Sequence, residues 1–214
     1  MLHSCENSTY VEVASFSPVK ADTVFCDTPF LPYCLANSLD KDSAFWCELK
    51  PFKSFESGFL LMDSIKHAFF VREDETHDSL CHLFLYEQLD TEWVMIDYQI
   101  AIPFNSVSFS LEYLDFNFDG INDLFIQTTC SNGYTICRGD LFECSSFGKF
   151  LIRHSEVRDL GNFRIDTARN LLIAEELEEC NRAFKAVPVQ IYFEIQNGIL
   201  VEVDRIHKLQ LKKL

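Results

Sequence analysis

Basic residues are scarce in this 214-residue chain: 18 Lys+Arg stand against 33 Asp+Glu, giving a formal net charge of -15 and a pI of about 4.7. A surface of that sign repels phosphate backbones, which argues against sequence-independent nucleic-acid binding and against attraction to anionic membranes. Long apolar runs are missing too. The longest, at residues 58–62 and 68–71, are strand-sized and far below the roughly 18 residues a membrane helix requires. The first residues hold neither the charged stretch nor the apolar stretch of roughly 7–15 residues that mark a secretory leader. The 9 cysteines include no C-x-x-C pair and no His stands at zinc-finger spacing, which argues against a structural zinc site or a thioredoxin-like motif. There is no G-x-S-x-G, no phosphate-binding glycine loop and no H-E-x-x-H, so the chain reads as non-enzymatic. Gly and Pro are few, at 7 and 6, whereas 48% of residues are hydrophobic and 21 are Phe. That composition can bury a core, which excludes a disordered acidic tail.

What is present reads as β structure. Short aromatic and aliphatic runs at residues 59–62, 68–71, 80–86 and 93–98 are separated by polar turns. Such spacing predicts an antiparallel sheet. Val107, Phe109, Leu111 and Tyr113 alternate with Ser106, Ser108, Ser110 and Glu112, the pattern of a half-buried strand. Further runs follow at 124–129, 134–137, 148–152 and 187–195, and Asn197-Gly198 turns the last of these into 199–203 as a hairpin. Ile173, Leu177, Cys180 and Phe184 fit helical spacing, while Leu171, Leu172 and Ile173 fit a strand equally well. Pro18, Pro29 and Pro32 make residues 6–40 a tether followed by loops and short edge strands. The expected fold is all-β, mainly antiparallel, a sandwich or propeller-like arrangement with at most one or two short helices. It divides into an N-terminal tether (1–22), a β-rich half (23–104) and a second β-rich half (105–214), within one compact domain.

One segment carries chemistry. In residues 115–123, oxygen side chains fall at positions 1, 3, 5 and 9 (Asp115, Asn117, Asp119, Asp123), Gly120 sits at position 6, and Ile121 can offer its carbonyl at position 7. This is the calcium-loop pattern, because a hard cation gathers six to eight oxygens around a sharp turn. Position 12 is Ile126 rather than Glu, and both flanks read as strands. A constitutive site of very roughly 10⁻⁴ to 10⁻³ M affinity is expected rather than a sensor. The alternative is a turn rich in Asp and Asn with solvated carboxylates.

Leu2-His3-Ser4-Cys5 resembles the end of a bacterial lipoprotein signal, with Cys5 as the lipidated residue and the following polar residues as its tether. On that reading any membrane association runs through a lipid anchor at Cys5. Setting Cys5 aside leaves eight cysteines, an even number that suits disulfides in an oxidising compartment; buried free thiols in a cytosolic protein are the alternative.

From Leu111 to Asp204 the chain resembles a family of bacterial periplasmic proteins that inhibit peptidoglycan hydrolases and serve as immunity proteins for secreted toxins. The resemblance rests on the loop 115–124, on Tyr134, on Gly148-Lys149-Phe150, on Ile165-Asp166 before Leu171-Leu172-Ile173, and on the closing run 192–200. It implies an all-β fold, a calcium loop that stiffens the sheet, and an exposed loop that enters the cleft of a lysozyme-like enzyme. Related lysozyme inhibitors use a Ser-Gly loop with a nearby Tyr. Ser131-Asn132-Gly133-Tyr134 is similar, with Asn132 as the departure. Independently of the resemblance, a two-residue turn at Asn132-Gly133 puts Cys130 and Cys137 on one face, where a disulfide would brace the hairpin.

The functional expectation is therefore a periplasmic, calcium-stabilised immunity or inhibitor protein. Its partner would be a cognate toxin or peptidoglycan hydrolase, basic in charge. The alternative is an envelope lipoprotein acting as a binding or adhesion module without inhibitory activity.

Overall fold

The computed structural model describes residues 30–130, 136–145, 150–180, 185–196 and 199–207. Among them the chain forms two compact units. The first runs to Val107 and takes in Cys144–Leu151; the second holds Ser108–Glu143 and the chain from Ile152 onward. Both are built on antiparallel sheets.

In the first unit α1 (Phe30–Ser38) precedes β1 (Ala44–Leu49), β2 (Phe52–Met62), β3 (Ile65–Glu73), β4 (Leu80–Leu89) and β5 (Glu92–Pro103). The strands pair in sequence order as a five-stranded meander. Its register aligns one aromatic residue from every strand: Trp46 faces Phe55, Phe55 faces Phe70, Phe70 faces Phe84 and Phe84 faces Tyr98. Ring centroids lie 5.7 Å apart for Trp46–Phe55, 5.7 Å for Phe70–Phe84 and 6.2 Å for Phe84–Tyr98. Cross-strand aromatic pairs of this kind stabilise a sheet beyond their buried area. The helix packs on the same face, with Phe30 6.0 Å from Phe70 and Tyr33 6.2 Å from Trp46. Phe69, Val71, Leu83 and Leu85, on the alternate pleat positions, are also buried.

The helix corrects the expectation of loops and edge strands up to residue 40. Pro32 falls in the first turn of α1, where its missing N–H forfeits no intrahelical bond. Phe30, Cys34 and Ser38, spaced four apart, then form the buried stripe.

The second sheet comprises β6 (Ser110–Leu114), β7 (Asp123–Cys130), β8 (Cys137–Cys144), β9 (Leu151–His154), β10 (Gly161–Asp166), β11 (Leu171–Cys180), β12 (Lys185–Gln196) and β13 (Ile199–His207), with a short 3-10 turn at Ser155–Val157. The sheet order is β13-β12-β11-β10-β8-β7-β6, and β9 pairs with β8. Phe116, Phe125, Leu141, Leu172, Ala174, Val189, Ile191 and Phe193 form its core. Two glycines are required by close approach: a Cβ on Gly139 would collide with the Ile126 carbonyl, and one on Gly161 with the Cys137 carbonyl.

The helical alternative over 173–184 is corrected for its described part, where β11 sends Leu172 and Ala174 into the core. The alternating strand predicted from Val107 is shorter than its pattern. Residues 106–108 form a turn, Val107 is 94% exposed, and β6 starts at Ser110. Side chains capture the backbone there: Asn105 Oδ1 accepts from Val107 N at 3.0 Å and Ser108 Oγ donates to the Thr128 carbonyl at 3.0 Å. β12 and β13 pair with Gln196 opposite Ile199, the register of a two-residue connection. In the β7–β8 hairpin Cys130 lies opposite Cys137, and the expected Asn132-Gly133 turn lies outside the described residues.

Candidate functional site

β6 ends at Leu114 opposite Asp123, the first residue of β7, so residues 115–122 span the end of this hairpin. Their polar side chains fold back onto the loop. Asp115 accepts two backbone N–H groups, Oδ1 from Asp119 at 3.1 Å and Oδ2 from Gly120 at 3.0 Å. The Asp119 N–H is shared with Asn117 Oδ1, also at 3.1 Å, and Asp119 Oδ1 accepts from Ile121 N at 2.8 Å. These bonds hold two left-handed residues, Phe118 at φ 62 and Gly120 at φ 85. Glycine takes that conformation without cost, whereas for Phe118 it is strained and has to be imposed.

Asp123 is fully buried and its Oδ2 accepts from Phe116 N at 3.0 Å. Phe116 points into the core, edge-on to His154 with ring centroids 5.7 Å apart. Each nitrogen of the buried His154 ring meets a carboxylate, Nδ1 at 2.9 Å from Glu156 and Nε2 at 3.1 Å from Glu143. Burial pushes the Glu156 carboxyl up, but hydrogen bonds from His154 and from its own backbone N–H outweigh it and hold the group below the ordinary glutamate range. Close in sequence, buried Asp140 takes Arg153 Nη2 at 2.7 Å and Arg158 Nε at 2.9 Å. Asp140 is thus an internal ion-pair centre.

The five positions read from sequence as metal ligands therefore fall in one loop, but in different settings. Asp115, Asn117 and Ile121 are half-buried, Asp119 is exposed, and Asp123 is sealed inside. The donor set is all oxygen and fits a hard cation in kind. Its present arrangement is a self-capped turn: among the described residues no three His, Cys, Asp or Glu side chains stand close enough to hold a metal ion. Each carboxylate oxygen that accepts one N–H keeps a further lone pair, so capping and cation binding are not exclusive.

Ser131, Asn132, Gly133 and Tyr134 lie outside the described residues, as does Cys5. Cys34, Cys47, Cys81 and Cys144 are buried and not joined in disulfides, which corrects the expectation of disulfides for those four. Burial drives the Cys34 thiol far above its ordinary pKa, so it stays protonated and inert. Among the described residues no helix is long and apolar enough to cross a membrane.

No known family, curated protein or solved structure matches the chain. The functional reading therefore rests on the fold and on the geometry of the site.

Proposed function

We propose that the protein is a non-enzymatic, calcium-stabilised inhibitor or immunity protein that binds and blocks a basic peptidoglycan-degrading or similar toxin enzyme in the periplasm, with Cys5 as a lipid anchor. The observation that carries this reading is a charge of -15 on an all-β scaffold. Such a charge steers a basic enzyme toward the surface and accelerates encounter, with a rate that falls as salt rises. The loop at 131–134 is the inhibitory element of this proposal, and the alignment of Cys130 with Cys137 supports a disulfide at its base. Calcium would be held by Asp115, Asn117, Asp119, the Ile121 carbonyl and Asp123, and would supply charge neutralisation to an acidic turn.

The test is a turbidity assay of peptidoglycan lysis with basic lysozyme-type hydrolases and the product of the neighbouring gene. Stoichiometric loss of lysis, with an association rate that drops between low and physiological salt, is the expected result. Tyr134→Ala should weaken inhibition and leave the melting temperature unchanged. Full lysis at excess of this protein against every enzyme tried would reject the inhibitor reading.

Four cysteines buried in the core without a disulfide favour a second reading on one point, the compartment, because disulfides are rare in a reducing environment. Mass analysis, under non-reducing conditions, of protein isolated from cells with its full native leader decides it: a Cys130–Cys137 disulfide supports the periplasm, and fully reduced thiols support the cytosol.

A further inference from the structure

The segment from Leu151 to Arg158 is tied to β8 by two kinds of polar contact. One persists at any ordinary pH: Arg153 Nη2 and Arg158 Nε meet the two oxygens of buried Asp140 at 2.7 and 2.9 Å, and guanidinium groups do not lose their protons. The other runs through His154, which is 5% exposed. Its Nδ1 stands 2.9 Å from Glu156 in the 3-10 turn and its Nε2 stands 3.1 Å from Glu143 on β8. Carboxylate oxygens only accept, and a neutral imidazole has a single N–H to give. Both contacts are therefore hydrogen bonds at once only when the ring carries two protons. Phe116, edge-on to the same ring, offers no charge. The other charged groups of the surrounding elements are engaged elsewhere or turned to water: Arg153 and Arg158 hold Asp140, Asp123 accepts the Phe116 N–H, Asp115 is bonded within its loop, and Asp159 is exposed.

We propose that His154 is a pH-operated latch: on the acid side of the histidine range it bridges Glu143 and Glu156 as an imidazolium, and when Nδ1 gives up its proton to water the contact with Glu156 breaks and the 3-10 turn is released. Histidine is the side chain whose charge changes between about pH 5 and 8, so the device works near neutrality. The order of release follows from the surroundings. The Glu143 side chain is 18% exposed and the Glu156 side chain 55%. Water can replace the ring N–H at Glu156 but reaches Glu143 far less, so the one proton of the neutral ring stays on Nε2. The Nδ1 lone pair then faces a carboxylate and repels it toward solvent. The sign is fixed: the tie to Glu156 adds stability below the histidine range and is lost as pH rises through it. The Asp140 ion pairs do not titrate in that range, so β9 stays docked and the opening is local. None of this depends on the function proposed above.

Long-range proton–nitrogen NMR of the isotope-labelled full-length protein reads the ring directly from about pH 5.5 to about pH 8.5. Two protonated nitrogens on His154 are expected at the acid end, and Nε2–H alone at the basic end. Over the same range, hydrogen exchange corrected for its intrinsic pH dependence follows the turn through the Arg158 and Leu160 amides, which donate to the Ser155 and Val157 carbonyls at 3.3 and 2.9 Å. Their opening constant should rise about tenfold, the effect of one lost charge-assisted hydrogen bond. Glu156→Gln, at an exposed position, should fold normally. Its amide can donate to a bare Nδ1, so most of the pH dependence of turn opening should disappear while the ring still titrates. A ring with one protonated nitrogen at every pH overturns the latch, as does Nδ1–H retained at the basic end. Turn opening that ignores pH in the wild type, or keeps its full pH dependence in Glu156→Gln, overturns it equally.

Discussion

The buried carboxylate of Asp123 accepts the backbone N–H of Phe116 at 3.0 Å and so ties the entry of the acidic loop to its exit. No solvent reaches this acceptor to replace it. Asp123→Ala leaves a buried N–H unsatisfied and should destabilise the protein by about 2–3 kcal/mol. Asp119→Ala, at an exposed position of the same loop, should cost less than about 1 kcal/mol. Urea denaturation of the two variants measures the difference. Equal losses would mean that Asp123 does not organise the loop.

The shared N–H of Asp119, with Asp115 and Asn117 oxygens both at 3.1 Å, brings two of the proposed calcium ligands to one nitrogen. If the loop takes calcium with the weak affinity its ligand set implies, about 10 mM calcium should raise stability by about 1.4–2.7 kcal/mol. Melting curves in chelator and in calcium check this. The shift should vanish in the Asp115→Asn, Asp119→Asn double variant, and no shift at millimolar calcium removes the metal from the account.

Along the aromatic ladder burial falls toward β5: Phe55 is fully buried, Phe84 is half-buried and Tyr98 is 55% exposed. Truncation costs should follow the same order. Phe55→Ala removes a ring from a packed interior and should cost about 3–5 kcal/mol. Phe84→Ala should fall between that and Tyr98→Ala, for which less than about 1 kcal/mol is expected. A larger loss at Tyr98 than at Phe55 would show that the face is not packed in this order.

The strands were legible because the pleat is a local rule: a period of two can be read without knowing the partner strand. The limits were equally physical. Ile173 and Leu177 are four apart, a spacing that suits one helix face and also one strand face, so sequence alone could not choose for β11. Pro29 and Pro32 looked like breakers, and α1 has only Phe30, Cys34 and Ser38 as its buried face, too short a stripe to stand out. The loop 115–123 was recognisable because its oxygen positions and its glycine are close in sequence. The polar groups behind it were not, because Phe116 meets His154 and Asp140 meets Arg153 and Arg158 only once distant segments of the second unit pack.

Asp74 makes the clearest pH prediction. Its Oδ1 accepts the Thr76 hydroxyl at 2.6 Å, the Thr76 N–H at 2.8 Å and the His77 N–H at 3.0 Å, while Oδ2 lies 2.7 Å from His82 Nε2. The Thr76 hydroxyl and N–H, followed by His82, hold this carboxyl well below the usual carboxylate range. A group whose folded pKa is depressed stabilises the fold at pH above its unfolded value of about 3.9, and that contribution is lost as pH falls through the lower folded value. The acid limb of the stability curve, below about pH 4, should therefore carry the Asp74 signal. Thr76→Ala removes the largest cause, so the Asp74 carboxyl carbon should titrate closer to the ordinary aspartate range and the acid limb should move to higher pH. Thr76→Ser keeps the hydroxyl and should behave like the wild type. An NMR titration that finds Asp74 unchanged in Thr76→Ala would transfer the effect to His82, and His82→Gln would then have to raise the value instead.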